Sequence, residues 1–291
     1  MKPEEKEKNI TQELKKHKTL AMLAPSFVSD FDYPEIIYQL RALGFDKIVE
    51  LTFGAKLVNR EYHKILESPR YKKKLLISSV CPGIVETVRT KYPNYRKNLM
   101  PFVSPMIATA KICKKMYPKH KICFIAPCNF KKIEAKNTEV DFCIDNNELR
   151  NLINENKLEI EKKMRELKKK SFKQIGFDKF YNDYTKIYPL AGGLSKTAHL
   201  RGVLKPGEEI KIDGIVDVEK FLENPQKEIR FMDVTFCVGG CLGGSCIANK
   251  SLEDKKKRLM NYIEVAKEEK IPSGRKGLVK YAKGVKLSKK Y

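Results

Sequence analysis

The sequence predicts an α/β protein with a mostly parallel sheet flanked by helices. Three observations carry that reading. Short apolar runs alternate with helical periodicity along most of the chain. Proline and glycine punctuate the joins between the two patterns. The length of 291 residues, 42% of them hydrophobic, is enough for one large domain or two lobes with a substantial core.

Thr19–Ala24 (TLAMLA) is an apolar run that stops at Pro25, the mark of a buried strand. Asp32 precedes Tyr33 and Pro34, which suits a cap and first turn for a helix through Leu43, closed by Gly44. Lys47–Leu51 reads as the next strand and Gly54–Glu67 as a helix. Leu75–Ser79 is a third strand, after which Cys81–Pro82 opens a helix through Val88. Ser104–Pro105 starts a helix to about Met116, and Lys121–Ala126 is a strand ending at Pro127–Cys128. Val140–Ile144 is one more strand, followed by a helix. Residues 147–170 are strongly charged with helical periodicity and read as an exposed excursion or hairpin. Tyr188–Gly202 returns to compact structure, and Asp233–Cys237 reads as a strand entering the glycine-rich turn Val238–Ser245. Ser251–Lys270 is helical, and Gly274–Tyr291 is a basic tail.

Composition excludes several classes. No apolar run reaches the roughly 18–20 residues of a membrane span, and the charged stretch from Met1 to Lys18 has no apolar signal core. A cytoplasmic protein is expected. The net charge is +23, but Arg supplies only 11 of the 59 basic residues, Trp is absent, and the lysines are spread along the chain. Specific readers of nucleic acid favour Arg forks and stacked aromatics, so nucleic acid is not the expected partner. A solvated lysine surface and attraction to an acidic partner such as a small electron carrier both fit the charge.

The eight cysteines, Cys81, Cys113, Cys123, Cys128, Cys143, Cys237, Cys241 and Cys246, are more informative. Without an export signal they read as thiols, metal ligands or packing rather than disulfides. Three cysteine-bearing turns follow expected strands: ISSVCPG at 77–83, IAPCNFKK at 125–132 and FCVGGCLGG at 236–244. Sites in open α/β sheets form beyond the carboxyl ends of strands, so Cys81, Cys128, Cys237 and Cys241 can converge across 160 residues of sequence. Four thiolates suit an iron–sulfur cluster or a tetrahedral zinc. The glycines at 239, 240, 243 and 244 permit close backbone approach to sulfide.

These three segments, in this order, resemble the signature regions of the catalytic domain of iron-only ([FeFe]) hydrogenases. Family members carry Thr-Ser-Cys-Cys-Pro, Met-Pro-Cys-x-x-Lys-x-x-Glu and Glu-x-Met-x-Cys-x-x-Gly-Cys. Here the segments run Ser78 to Pro82, Ala126 to Glu134 and Asp233 to Cys241, and Leu43–Lys47, Ser104–Met106 and Ala191–Gly193 are similar to further family pieces. The resemblance covers roughly residues 18–247. It implies two lobes of mostly parallel sheet with an iron–sulfur site between them. Residues 1–17 then form a charged N-terminal segment, 18–247 a cluster-binding domain with the excursion at about 147–172, and 248–291 a C-terminal helix and basic tail.

By resemblance, Cys81, Cys128, Cys237 and Cys241 match the four ligands of a [4Fe–4S] cluster. Cys241 matches the thiolate that also bridges to a diiron subsite, the two together forming the H-cluster. Lys131 matches the lysine that hydrogen-bonds a diiron cyanide, as a charge-assisted donor. The departures point elsewhere. The first of the two adjacent cysteines, which relays protons in the family, is Val80, and a valine carries no proton. Ala126 and Thr235 replace pocket methionines, Met106 stands where glutamine is usual, and the acidic proton-channel segment keeps only Glu61. Losing a relay residue removes on the order of 10²–10⁴-fold in rate.

The resulting expectation is a [4Fe–4S] protein for redox sensing or electron relay with little or no hydrogen turnover. It would be served by a separate ferredoxin-like electron carrier or a signalling partner. The alternatives are a slow or hydrogen-sensing [FeFe] hydrogenase that retains the diiron subsite, and a zinc-stabilised scaffold protein. Cys113, Cys123 and Cys143 read as packing. Cys246 is open between packing and a place near the cluster as a spare ligand or reactive thiol. His63, His120 and His199 have no metal-ligand spacing, and Glu134 reads as structural.

Overall fold

A computed structural model describes residues 3–170, 176–180, 184–248, 250–268, 270, 273 and 279–291. Two parallel sheets organise it. The larger takes β1 (Thr19–Leu23), β2 (Lys47–Glu50), β4 (Lys121–Ala126) and β5 (Phe142–Asp145) in the order β2-β1-β4-β5. The smaller takes β3 (Leu76–Ile77), β6 (Glu209–Asp213) and β7 (Phe231–Thr235) in the order β3-β7-β6. All neighbouring strands run parallel. That agrees with the expected class and with the two sheet-bearing lobes.

The apolar strands are continuous because both faces of the larger sheet are covered. Along β1, Leu20 and Met22 point into one core while Ala21 and Leu23 point into another. Along β4, Ile122, Phe124 and Ala126 share the first core, and Cys123 and Ile125 the second. This is the two-residue period of a strand. One face packs on α3 (Thr52–Glu67) and α5 (Pro105–Met116), the other on α2 (Glu35–Leu43) and α11 (Leu252–Glu268). The smaller sheet packs Ile77, Met232 and Val234 against α4 (Pro82–Thr90) and α10 (Ile215–Glu223).

Several expectations need correction. α2 starts at Glu35 with Pro34 as its cap and no side-chain cap bond, because Asp32 instead accepts from Arg258 at 2.7 Å. Gly44 does close the helix, at φ 110°. β3 is shorter than expected: Ser79 leaves the ladder to bond Tyr62 and the Met100 carbonyl. Residues 147–170 are a mostly exposed pair of helices that still docks on the sheet lobe. They form α7 (Asn146–Glu155) and α8 (Lys157–Lys170), and Ile160 and Met164 bury against Tyr38 and Ala42 of α2. Residues 171 and 172 lie outside the described residues.

The basic tail is also anchored. Val103 N–H donates to the Leu287 carbonyl, and Lys289 N–H to that of Pro101. The sequence reading missed α1 (Pro3–Lys16), α6 (Asn129–Ala135), the short α9 (Gly193–Thr197), β6 and α10. β6 (EIKID) alternates apolar and charged residues within a lysine-rich stretch, so no apolar run announces it. Among the described residues, no helix is long and apolar enough to cross a membrane.

Candidate metal centre

The carboxyl ends of both sheets face one cavity of about 90 Å³. In the larger sheet β2 lies on one side of β1 and β4 on the other, so the order of strand addition reverses between β1 and β4 while every strand stays parallel. Such switch points open a crevice beyond the strand ends. Ala24 and Pro25 follow β1, Leu51 and Thr52 follow β2, and Pro127 and Cys128 follow β4; all line the cavity. From the smaller sheet come Val80 and Cys81 after β3, with Asp233, Thr235 and Cys241 on and after β7.

Three of the four expected ligand cysteines therefore line one cavity, and Cys237 lies beside it near Cys81 and Cys128. Cys81 caps α4 with extended backbone and Pro82 in the first turn, so the positive end of that helix faces the site. Cys128 caps α6. Burial pushes its thiol above the ordinary value, against the pull of the Lys131 amide and ammonium. Burial, with Cys81 and Cys128 nearby, pushes Cys237 up to about 11. Cys241 is pushed up by burial and by Cys128, Cys81 and Cys237, with Lys131 opposing. Cys128, Cys237 and Cys241 are thus held largely protonated without a metal, and metal binding would release those protons.

Two glycines permit this convergence. Gly240 has φ +66°, and a Cβ there would lie 2.2 Å from the Pro189 carbonyl oxygen. A Cβ on Gly244 would lie 2.3 Å from the Pro127 oxygen. Both contacts are below what a real side chain tolerates, so only glycine lets the Cys241 turn lie on the two prolines. Cys241 N–H then donates to the Pro189 carbonyl at 2.8 Å.

Lys131 is buried on the cavity wall. Its ammonium donates to the Val80 carbonyl at 3.0 Å and to Glu134 at 2.5 Å. Burial works against its charge, but Glu134 and the thiols at 81 and 128 hold its pKa above the usual lysine value. Glu134 is thus the counter-ion of Lys131. Val80 presents an apolar side chain to the cavity. Glu61 pairs with Lys64 on the outside of α3 and does not line the cavity.

The other cysteines separate cleanly. Cys113 and Cys123 are fully buried packing residues, and Cys143 is half-buried in β5. Cys246 is buried with its thiol 3.5 Å from Asn129 Oδ1 and does not line the cavity. His120 bonds Asp46, and His63 bonds the Ala198 carbonyl. Two cavity groups had no role assigned from the sequence. Asp233 is buried, accepts both the N–H and the hydroxyl of Ser195, and is pushed up to about 6 by burial. Tyr188 is the other; only its place beside a proline and the Gly192–Gly193 pair hinted at close packing here.

Among the described residues, no group of three or more His, Cys, Asp or Glu converges closely enough to hold a single metal ion. A zinc ion needs its sulfurs about 2.3 Å from one point, which this spacing does not supply. Three cysteines lining the cavity with a fourth beside it fit a larger, many-atom iron–sulfur cluster instead.

Residues 17–245 match the iron-only hydrogenase large subunit, C-terminal domain. The chain belongs to that family. It is similar to Iron hydrogenase 1 of Clostridium pasteurianum, with 24% identity over 264 residues, covering 72% of this chain and 44% of that protein. It therefore spans less than half the length of that relative. Among solved structures, an [FeFe]-hydrogenase studied for oxygen inactivation of its H-cluster has a TM-score of 0.70 at 14% identity, covering 97% of this chain and 95% of that one. A variant of the [FeFe]-hydrogenase of Chlamydomonas reinhardtii has a TM-score of 0.65 at 15% identity, covering 93% and 90%. The fold is that of the [FeFe]-hydrogenase catalytic domain.

Proposed function

We propose that residues 18–247 hold a [4Fe–4S] cluster on Cys81, Cys128, Cys237 and Cys241, for redox sensing or electron relay with little or no hydrogen turnover. The family binds an H-cluster, a [4Fe–4S] cluster joined to a diiron subsite. The observation that carries the reading is the cavity beside Cys241, walled at position 80 by a valine. The bound cluster supplies one-electron chemistry. The chain supplies four thiolates, the positive end of α4, a mostly apolar cavity, and the Lys131 ammonium held against Val80 and Glu134. Val80 offers no side-chain site for a proton, so the family's relay position is silent. Electrons would pass to a separate ferredoxin-like carrier or a signalling partner, which the strongly positive chain would attract if acidic.

One observation favours a second reading. The cavity persists next to Cys241 with buried Lys131 on its wall, which suits a retained diiron subsite and a slow or hydrogen-sensing enzyme. Iron and sulfide content with infrared spectra, on protein coexpressed with hydrogenase maturation factors, separates the two. About four irons without CO or cyanide bands supports the lone cluster, and about six with those bands supports the second reading. Colourless protein without iron overturns both. In the same assay Cys237→Ser should lose most of its iron, whereas Cys113→Ser should keep it; equal iron in the two would refute the ligand assignment.

A further inference from the structure

Tyr188 lines the cavity, yet its buried hydroxyl has no hydrogen-bond partner among the described residues. Buried hydroxyls are normally bonded, and an unpartnered one in a native fold calls for an explanation. The neighbouring groups do not supply a partner. Asp233 is engaged by Ser195, and Tyr62 is bonded to Ser79. The tyrosine's backbone, in contrast, is fixed: its N–H donates to the Thr185 carbonyl at 3.1 Å, and the next residue, Pro189, accepts from Cys241 N–H at 2.8 Å. Tyr188 therefore lines the same cavity as Cys241, with its hydroxyl in electrostatic reach of Tyr62, Asp233 and that thiol. Burial, with Tyr62, Asp233 and Cys241 nearby, keeps the phenol protonated, so it can only donate to an anion there.

We propose that Tyr188 is a hydrogen-bond donor to the metal centre, giving its hydroxyl hydrogen to an anionic sulfur of the cluster once one is bound. This rests on the cluster reading above. It explains why the donor is unpartnered in the chain alone: its acceptor arrives with the cluster. Hydrogen bonds to cluster sulfur favour the more negative, reduced state and so raise the reduction potential.

The test is Tyr188→Phe, which removes the oxygen and little else. In the metal-free protein the variant should melt at the wild-type temperature or slightly above, because the lost group had no partner. In the cluster-loaded protein, a redox titration followed by EPR should show a lower potential. A tenfold weaker preference for the reduced state corresponds to about 59 mV for one electron. Tyr62→Phe is the control: it removes a hydroxyl bonded within the fold, and should lower the melting temperature but leave the potential unchanged. An unchanged potential in Tyr188→Phe, with iron retained, overturns the proposal alone. Wild-type protein that takes up no iron overturns the cluster reading, and this role with it.

Discussion

The sharpest stability test lies behind the cavity wall. Glu50 at the end of β2 and Lys186 are both fully buried and form an ion pair at 2.5 Å. Tyr262 of α11 donates to Glu50, Thr52 donates to it at 2.9 Å, and Lys186 donates to the Tyr262 hydroxyl at 2.9 Å. The Lys186 ammonium also lies 4.6 Å from the Tyr262 ring centre and 5.3 Å from that of Phe180. Lys186→Met keeps length and apolar contact but strands the Glu50 carboxylate. Removing one partner of a buried pair costs about 3–5 kcal/mol, a large part of the roughly 5–15 kcal/mol that holds a typical domain together. Adding Glu50→Gln removes the stranded charge, keeps one amide oxygen as an acceptor for Tyr262, and lets the amide NH2 donate to the Thr52 hydroxyl. The double variant should therefore recover most of the loss, since replacing a buried pair outright is often close to neutral. Guanidinium unfolding followed by far-ultraviolet circular dichroism, under anaerobic conditions, measures both. A loss below about 1 kcal/mol for Lys186→Met, or a double variant no more stable than the single, would refute the reasoning.

Other tests follow from the same geometry. Burial raises the pKa of Asp233 from its ordinary 3.8 to about 6, so the folded state holds its proton longer than the unfolded chain. That contribution is fully present below about pH 4 and is lost as pH rises through about 6, a change of roughly 3 kcal/mol. Asp233→Asn should therefore gain stability relative to wild type between pH 4 and 7, and a constant difference across that range would contradict the burial argument. Gly240→Ala should disturb the Cys241 turn, because its Cβ would meet the Pro189 oxygen at 2.2 Å with φ at +66°. Reduced iron retention and a lower melting temperature are expected; a fully loaded variant of wild-type stability would show that the turn can relax.

The sequence by itself determined the local elements and the chemical inventory. Apolar runs such as TLAML and KICFIA had to be buried on both faces, and proline after a cysteine had to open α4. The three cysteine turns were legible because residue type and strand-end position are written in the chain. So was Val80, since a valine cannot carry a proton in any fold. What only the tertiary structure decided is which side chains meet. The approach of Cys81 to Cys237, the Glu134 partner of Lys131 and the Glu50–Lys186 pair join segments from different elements or opposite ends of one helical turn. The burial of α8 on α2 belongs here too, since its charged composition conceals a narrow apolar stripe at Ile160 and Met164. Tyr188 is the plainest case. Its hydroxyl means nothing in sequence, because whether a donor is satisfied depends on every group the fold brings within reach of it.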